Sequence, residues 1–138
     1  MMRAFETTVT ADLASTEHTM REALAHQGFG VLTEIDVAAT LRAKLGIERV
    51  PLKILGACNP SFAHRALEID PSVALVLPCN IVLEESDSNT SVRVVDPRDL
   101  MDDLRFDELA DQAAGGLQAA IEELEATCGR VDSSPTGA

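Results

Sequence analysis

Residues 50–85 read VPLKILGACNPSFAHRALEIDPSVALVLPCNIVLEE. From Val50 to Ala57 the chain is apolar apart from Pro51 near its start and Lys53, the pattern of a buried strand. Asn59-Pro60 then sets a favoured capping residue beside a favoured first-turn residue, which predicts a helix start. That helix runs to about Ile69 and stops at Asp70-Pro71, because a residue that precedes proline is driven out of the helical region. Val73 to Glu85 is a second apolar segment, bent or bulged at Pro78, which has no N–H to give to a ladder. Strand, helix and strand in this order suit a βαβ unit whose two strands run parallel.

On the N-terminal side, residues 3–10 are rich in Thr and Val and suit a first strand. Asp12 or Ser15 can cap a helix to about Gln27, with Met20, Ala23, Leu24 and Gln27 on one face. Gly28 follows as a residue able to take positive φ. Phe29–Ile35 is a short strand, and Asp36 caps a second helix with the stripe Val37, Leu41 and Leu45, ended by Gly46. On the C-terminal side, Ser86-Asp87-Ser88-Asn89 turns the chain and Ser91–Asp96 returns as an antiparallel strand. Pro97 ends it, residues 98–104 form a short acidic helical turn, and a last helix carries Leu109, Ala113, Leu117, Ile121 and Leu124 at helical spacing. Residues 129–138 have the composition of a disordered tail. The order β-α-β-α-β-α-β-β-α predicts one two-layer α+β domain over residues 1–128, with helices packed on a mixed sheet.

The 138 residues match the length of one domain, and 46% of them are apolar, enough for a core. Aromatic residues are only 3%, so that core must be aliphatic. Acidic residues outnumber basic ones 23 to 11, a net charge of −12. Such a charge argues against nucleic acid, whose phosphates are bound by Lys and Arg, and against an anionic membrane surface. Cys58, Cys79 and Cys128 are an odd set without a CxxC pair, so no disulfide framework is expected. Glu6 interrupts any apolar leader near the start, and the longest apolar stretch, Val73–Leu83, is far short of the roughly 20 residues a membrane helix needs. A cytoplasmic protein with reduced thiols is the expectation. Gly28-Phe29-Gly30 lies between a helix and a strand, the reverse of the order a dinucleotide fingerprint requires.

Residues 28–46 (GFGVLTEIDVAATLRAKLG) and 53–60 (KILGACNP) resemble the signature segments of the family named domain of unknown function 302. His64-Arg65-Ala66-Leu67 and Leu77-Pro78-Cys79-Asn80 follow in that family's order, and Leu52 departs from it where an aromatic residue is expected. The resemblance spans about residues 28–100. It implies a small α+β fold that forms homodimers, and it implies no activity.

The chemistry-bearing candidates surround a repeated dipeptide, Cys58-Asn59 and Cys79-Asn80. If strands 51–57 and 73–83 are parallel neighbours with Val73 beside Leu52, Cys79 comes level with Cys58, within reach of a disulfide or shared ligation. Cys58 before a helix start would also be favoured as a thiolate. One reading makes Cys58 a nucleophile, Cys79 its partner and His64 an acid–base neighbour; the other makes both cysteines small core hydrophobes. Asn59 and Asn80 are ligand contacts, or else a helix cap and a bulge contact. Lys53, costly to bury alone, either pairs with Glu34 or faces an anionic ligand, and Glu34 points into a pocket or into solvent. His18 and His26 read as solvated, and close zinc-ligand spacing is absent, so no metal and no cofactor is expected. Gly115-Gly116 inside the last helix points to close packing, against another helix or a second subunit, or to a kink. Two functions follow: a homodimeric module that binds or senses a small anionic ligand near the Cys58-Asn59-Pro60 turn, and alternatively a thiol-dependent redox or sulfur-handling protein using Cys58 and Cys79.

Overall fold

A computed structural model describes residues 3–131. Strands β1 (Ala4–Val9), β2 (Gly30–Asp36), β3 (Leu52–Cys58), β4 (Cys79–Ser86) and β5 (Asn89–Val95) form one sheet, ordered β1-β5-β4-β3-β2. The helices are α1 (Leu13–His26), α2 (Val37–Leu45), α3 (Pro60–Ile69), α4 (Pro97–Leu100) and α5 (Asp107–Cys128). The α+β class is the expected one, but the sheet is antiparallel throughout rather than mixed.

Local chemistry sets the element ends. Asp12, Asp36 and Asn59 accept hydrogen bonds from backbone N–H groups of the first turns of α1, α2 and α3. Gly46 ends α2 in the left-handed region at φ +68°, a conformation that costs a residue with a Cβ.

Alternation along the strands divides the sheet into two faces. Leu55, Ile81, Leu83, Val92 and Val94 are fully buried on one, beneath Met20 and Leu24 of α1 and Leu117 and Leu124 of α5. The opposite face carries Asn80, Val82, Arg93 and Val95, which line an open groove. All five residues of the expected α5 stripe are buried. On Gly116 a Cβ would lie 3.1 Å from Phe29 Cε2, so this glycine lets the Phe29 ring sit against α5. Of the close packing expected at Gly115-Gly116, only Gly116 shows it, against Phe29 just before β2, while a Cβ on Gly115 would meet nothing within 4 Å.

Three expectations change. First, β3 and β4 run antiparallel, with Ala57 opposite Cys79 and Gly56 opposite Asn80, so Cys58 lies one residue beyond the level of Cys79. The cause is the position of α3, which does not cross the sheet. Ala66 joins Val73, Phe106 and Leu109 in a second small core at the sheet end, with Phe62 and Ile69 packed against it. Second, Pro71–Val76 is a 3₁₀ turn and not strand: Asp70 accepts from Ser72 N and Val73 is buried in the small core. The strand begins only at Cys79, after Pro78. Third, α2 buries none of its residues, and Leu45 of its apolar stripe is 66% exposed.

At the C-terminus Gly129 O accepts from Thr10 N at 2.8 Å and Val131 N donates to Thr8 O at 2.7 Å, so residues 129–131 run beside β1. The rest of the expected tail, 132–138, lies outside the described residues.

Candidate functional site

Cys58 ends β3 and Asn59 caps α3, and both line a small apolar cavity together with Cys79, Phe29, Phe62 and Met101. Its volume is about 30 Å³, the space of a water-sized group. Phe29 and Phe62 meet edge to face at a centroid separation of 6.3 Å and close one side. Asn59 Oδ1 accepts from Ser61 N at 3.1 Å and Phe62 N at 3.3 Å, which occupies donors that an anion at this helix start would use. Its Nδ2 donates to Gln27 O at 3.4 Å and so ties α3 to the end of α1. Asn59→Ala is expected to lower stability by about 1 kcal/mol through the lost cap, with Asn59→Asp restoring most of it; chemical denaturation followed by circular dichroism checks this.

All three cysteines are free thiols. Burial pushes the Cys58 thiol up from its ordinary value, and burial, together with the nearby Cys58, pushes Cys79 up to about 11. Both directions oppose the thiolate expected of Cys58, because desolvation disfavours the charged form. His64, the proposed acid–base neighbour, stands away from this cavity: its side chain is 75% exposed and faces Glu68 at 3.9 Å. Among the described residues, no group of three His, Cys, Asp or Glu side chains is placed to hold a metal.

Lys53 and Glu34 form a closed charge network with α1. Lys53 Nζ lies 2.6 Å from Glu34 Oε1 and 2.8 Å from Glu17 Oε1. Arg21 reaches the same two carboxylates, at 2.9 Å from Glu17 and 3.2 Å from Glu34. Two cations stand against two anions, and Lys53 is paired with Glu34 and Glu17 in this structure. Although burial opposes it, the hydrogen bonds from Lys53 and Arg21 keep the Glu17 carboxyl below its ordinary range.

The larger concavity lies on the open face of the sheet. It has a volume of about 790 Å³, within the usual range for small-molecule sites. Val82, Val95 and Ala4 form its floor, the segment Leu75–Pro78 and Leu100 its wall, and Asn80, Arg3 and Arg93 its polar groups. Of the candidates from the sequence, only Asn80 reaches this groove. Arginines 3 and 93 were not anticipated. The one available signal was Arg93 in an otherwise apolar strand, Val92 to Val95, where alternation turns a lone charge to the uncovered face.

No curated protein matches the chain. Among solved structures, one described as "Crystal structure of uncharacterized conserved protein DUF302 from Bacillus stearothermophilus" is similar, at 28% identity and a TM-score of 0.81, over 90% of this chain and 99% of that one. The family model described as "Domain of unknown function DUF302" matches residues 5–124. Because that match runs from β1 to within a turn of the end of α5, the chain belongs to the DUF302 family.

Proposed function

We propose that this DUF302 protein is a homodimeric module that binds or senses a small ligand, and that the ligand seat is the open-face groove rather than the Cys58-Asn59-Pro60 turn. The volume contrast carries the reading: about 790 Å³ in the groove against about 30 Å³ beside Cys58. The groove is also lined mainly by apolar side chains with a few polar groups, the usual make-up of a small-molecule site. Asn80 stays a ligand contact. Asn59 caps a helix, and Lys53 and Glu34 tie α1 to the sheet. Binding is tested by titrating isotopically labelled protein with a panel of small organic acids and alcohols. Amide shifts confined to Asn80, Val82, Arg93 and Val95 support the groove, and shifts centred on Cys58 and Phe62 return the site to the turn.

The second copy is assigned to β2 and α2. Outward-lying Leu32, Ile35, Leu45, Ile47 and Val50 cluster there, and β2 pairs on one side only, with β3. Leu45→Glu is expected to convert a dimer to monomer without loss of helical signal; sedimentation equilibrium at a few concentrations reads this directly. A wild-type chain that sediments as a monomer removes the dimer from the proposal. No helix among the described residues is long and apolar enough to cross a membrane. The free thiols suit a reducing compartment, and we read the protein as cytoplasmic. Thiol chemistry at Cys58 and Cys79, with His64 assisting, is the alternative, and the upward shift of both thiols weighs against it.

A further inference from the structure

We infer that the open-face groove selects an amphipathic monoanion, with a carboxylate head on Arg93 and an apolar body along Val82, Val95 and the wall from Leu75 to Pro78. This inference rests on the ligand-binding reading above and names the class of ligand.

Charge is the first argument. The chain holds 23 acidic residues against 11 basic ones, yet among the described residues the charged side chains that line the groove are Arg3 and Arg93. The two are not equivalent. Arg3 is neutralised by Asp99: its Nε and Nη2 lie 2.8 and 2.6 Å from Oδ1, and its backbone N donates to Oδ2 at 2.6 Å. Arg93 has no such close pair: Glu6 stands opposite it on β1, makes no ion pair with it, and lines the neighbouring concavity rather than the groove. Arg93 donates from one nitrogen to Glu84 Oε1 at 3.4 Å, while the other oxygen of Glu84 is held by Arg49. One carboxylate thus lies between two guanidiniums in the Arg49–Glu84–Arg93 row, and Glu6 balances the row only from the side away from the groove. Arg93 has five N–H donors and spends one, so a planar bidentate carboxylate fits the fork that remains.

The rest of the groove states what the anion is attached to. Its floor and wall are aliphatic, and Leu75 stands 88% exposed at the mouth. Inorganic phosphate or sulfate would leave this surface wet. A nucleotide would bring two or more charges to a groove with one arginine free for a head group, and among the described residues no aromatic side chain lines the groove to stack a base. A single negative charge on an apolar chain or ring uses both halves of the site. The amide of Asn80 lies on the same lining and supplies a second hydrogen-bonding group for the head.

The test uses three probes of matched tail length, octanoate, octanol and octyltrimethylammonium, titrated at neutral pH into full-length labelled protein and followed by amide shifts and calorimetry. Octanoate is expected to bind at least about tenfold more tightly than octanol, the increment of a charge-assisted hydrogen bond, and to shift Asn80, Val82 and Arg93. Arg93→Gln should bring octanoate down to the affinity of octanol and leave octanol unchanged. Glu84→Gln removes the shared counter-ion and should tighten octanoate alone, a gain that a misfolded variant could not give. Octanoate and octanol binding equally in the groove, or the ammonium binding best, overturns the choice of an anion and leaves a ligand groove. No groove shift from any of the three overturns both this inference and the ligand-binding reading.

Discussion

Leu117→Ala is expected to cost about 3–4 kcal/mol, the range for deleting a fully enclosed leucine side chain where the surroundings cannot collapse. Leu117 has no exposed surface and sits in the core cluster between α5 and the sheet, among Leu24, Ile81, Val94 and Leu124. Two of those neighbours, Ile81 and Val94, are held by strand pairing, so the cavity cannot close by moving one loop. Since domains of this kind are stable by roughly 5–15 kcal/mol, the loss is a large share of the whole. A urea titration should show a lower midpoint with an unchanged slope, because the surface exposed on unfolding hardly changes. Leu109→Ala gives the contrast. Leu109 belongs to the small second core with Ala66, Val73 and Phe106, which lies at the sheet end and is built from α3, turns and the start of α5. Its cost should be smaller, because short turns relax into a cavity more readily than a five-stranded sheet. Equal costs at the two positions would mean that the second core is as rigid as the first.

The two cores also show what the sequence carries and what it withholds. Leu109, Ala113, Leu117, Ile121 and Leu124 recur at helical spacing, and a helix with that stripe has one way to bury it. Asp12, Asp36 and Asn59 announce helix starts through short-range chemistry that needs no tertiary partner. The direction of β4 is different in kind. A helix between two strands fits a parallel crossover along the sheet or a detour at its end, and the choice rests on where Phe62, Ala66 and Ile69 find apolar partners. Those partners, Phe106 and Leu109, lie some forty residues further on in the chain, beyond the reach of any local pattern. The segment Pro71–Val76 misleads for the same reason: an apolar run of this length serves a strand or a packed turn equally well, and Val73 is buried in either.

The candidate site was legible in the same partial way. Lys53, a lone charge in an apolar strand, announced the need for a partner but left Glu34 and an anionic ligand as alternatives, and the structure sets it against Glu34 with Glu17 and Arg21 from α1. The groove could not be read, since it appears only when β1, β4 and β5 are side by side and the uncovered face is known. The paired Cys-Asn dipeptides drew attention to the opposite side of β4. Alternation sends Cys79 inward and Asn80 outward, so adjacent residues belong to different sites.

Alkylation of Cys79 in the native protein is expected to be about 100-fold slower near pH 7 than that of a cysteine in an unfolded peptide, on ionisation alone. The thiolate is the reacting form, and a shift from 9.0 to about 11 removes two decades of it at any pH well below both values. At pH 7 that leaves about one thiolate in ten thousand. Burial at 7% exposure adds a steric barrier in the same direction. The shift carries a consequence for stability whose sign is fixed. The folded state holds its thiol proton more tightly than the unfolded state, so the contribution of Cys79 is fully present below the unfolded pKa, roughly 8.5–9. It is lost as pH rises from there through about 11, where unfolded chains ionise and folded ones do not. Cys79→Ala should flatten the decline of stability over that window while lowering stability at neutral pH through lost packing. Mass-resolved iodoacetamide labelling against pH, beside urea midpoints between pH 8 and 11, reads both effects. Labelling of Cys79 within threefold of the peptide rate, with no alkaline decline, would place the thiol in solvent. That result would revive the thiol alternative, because a sulfur nucleophile needs the anion that this cavity suppresses.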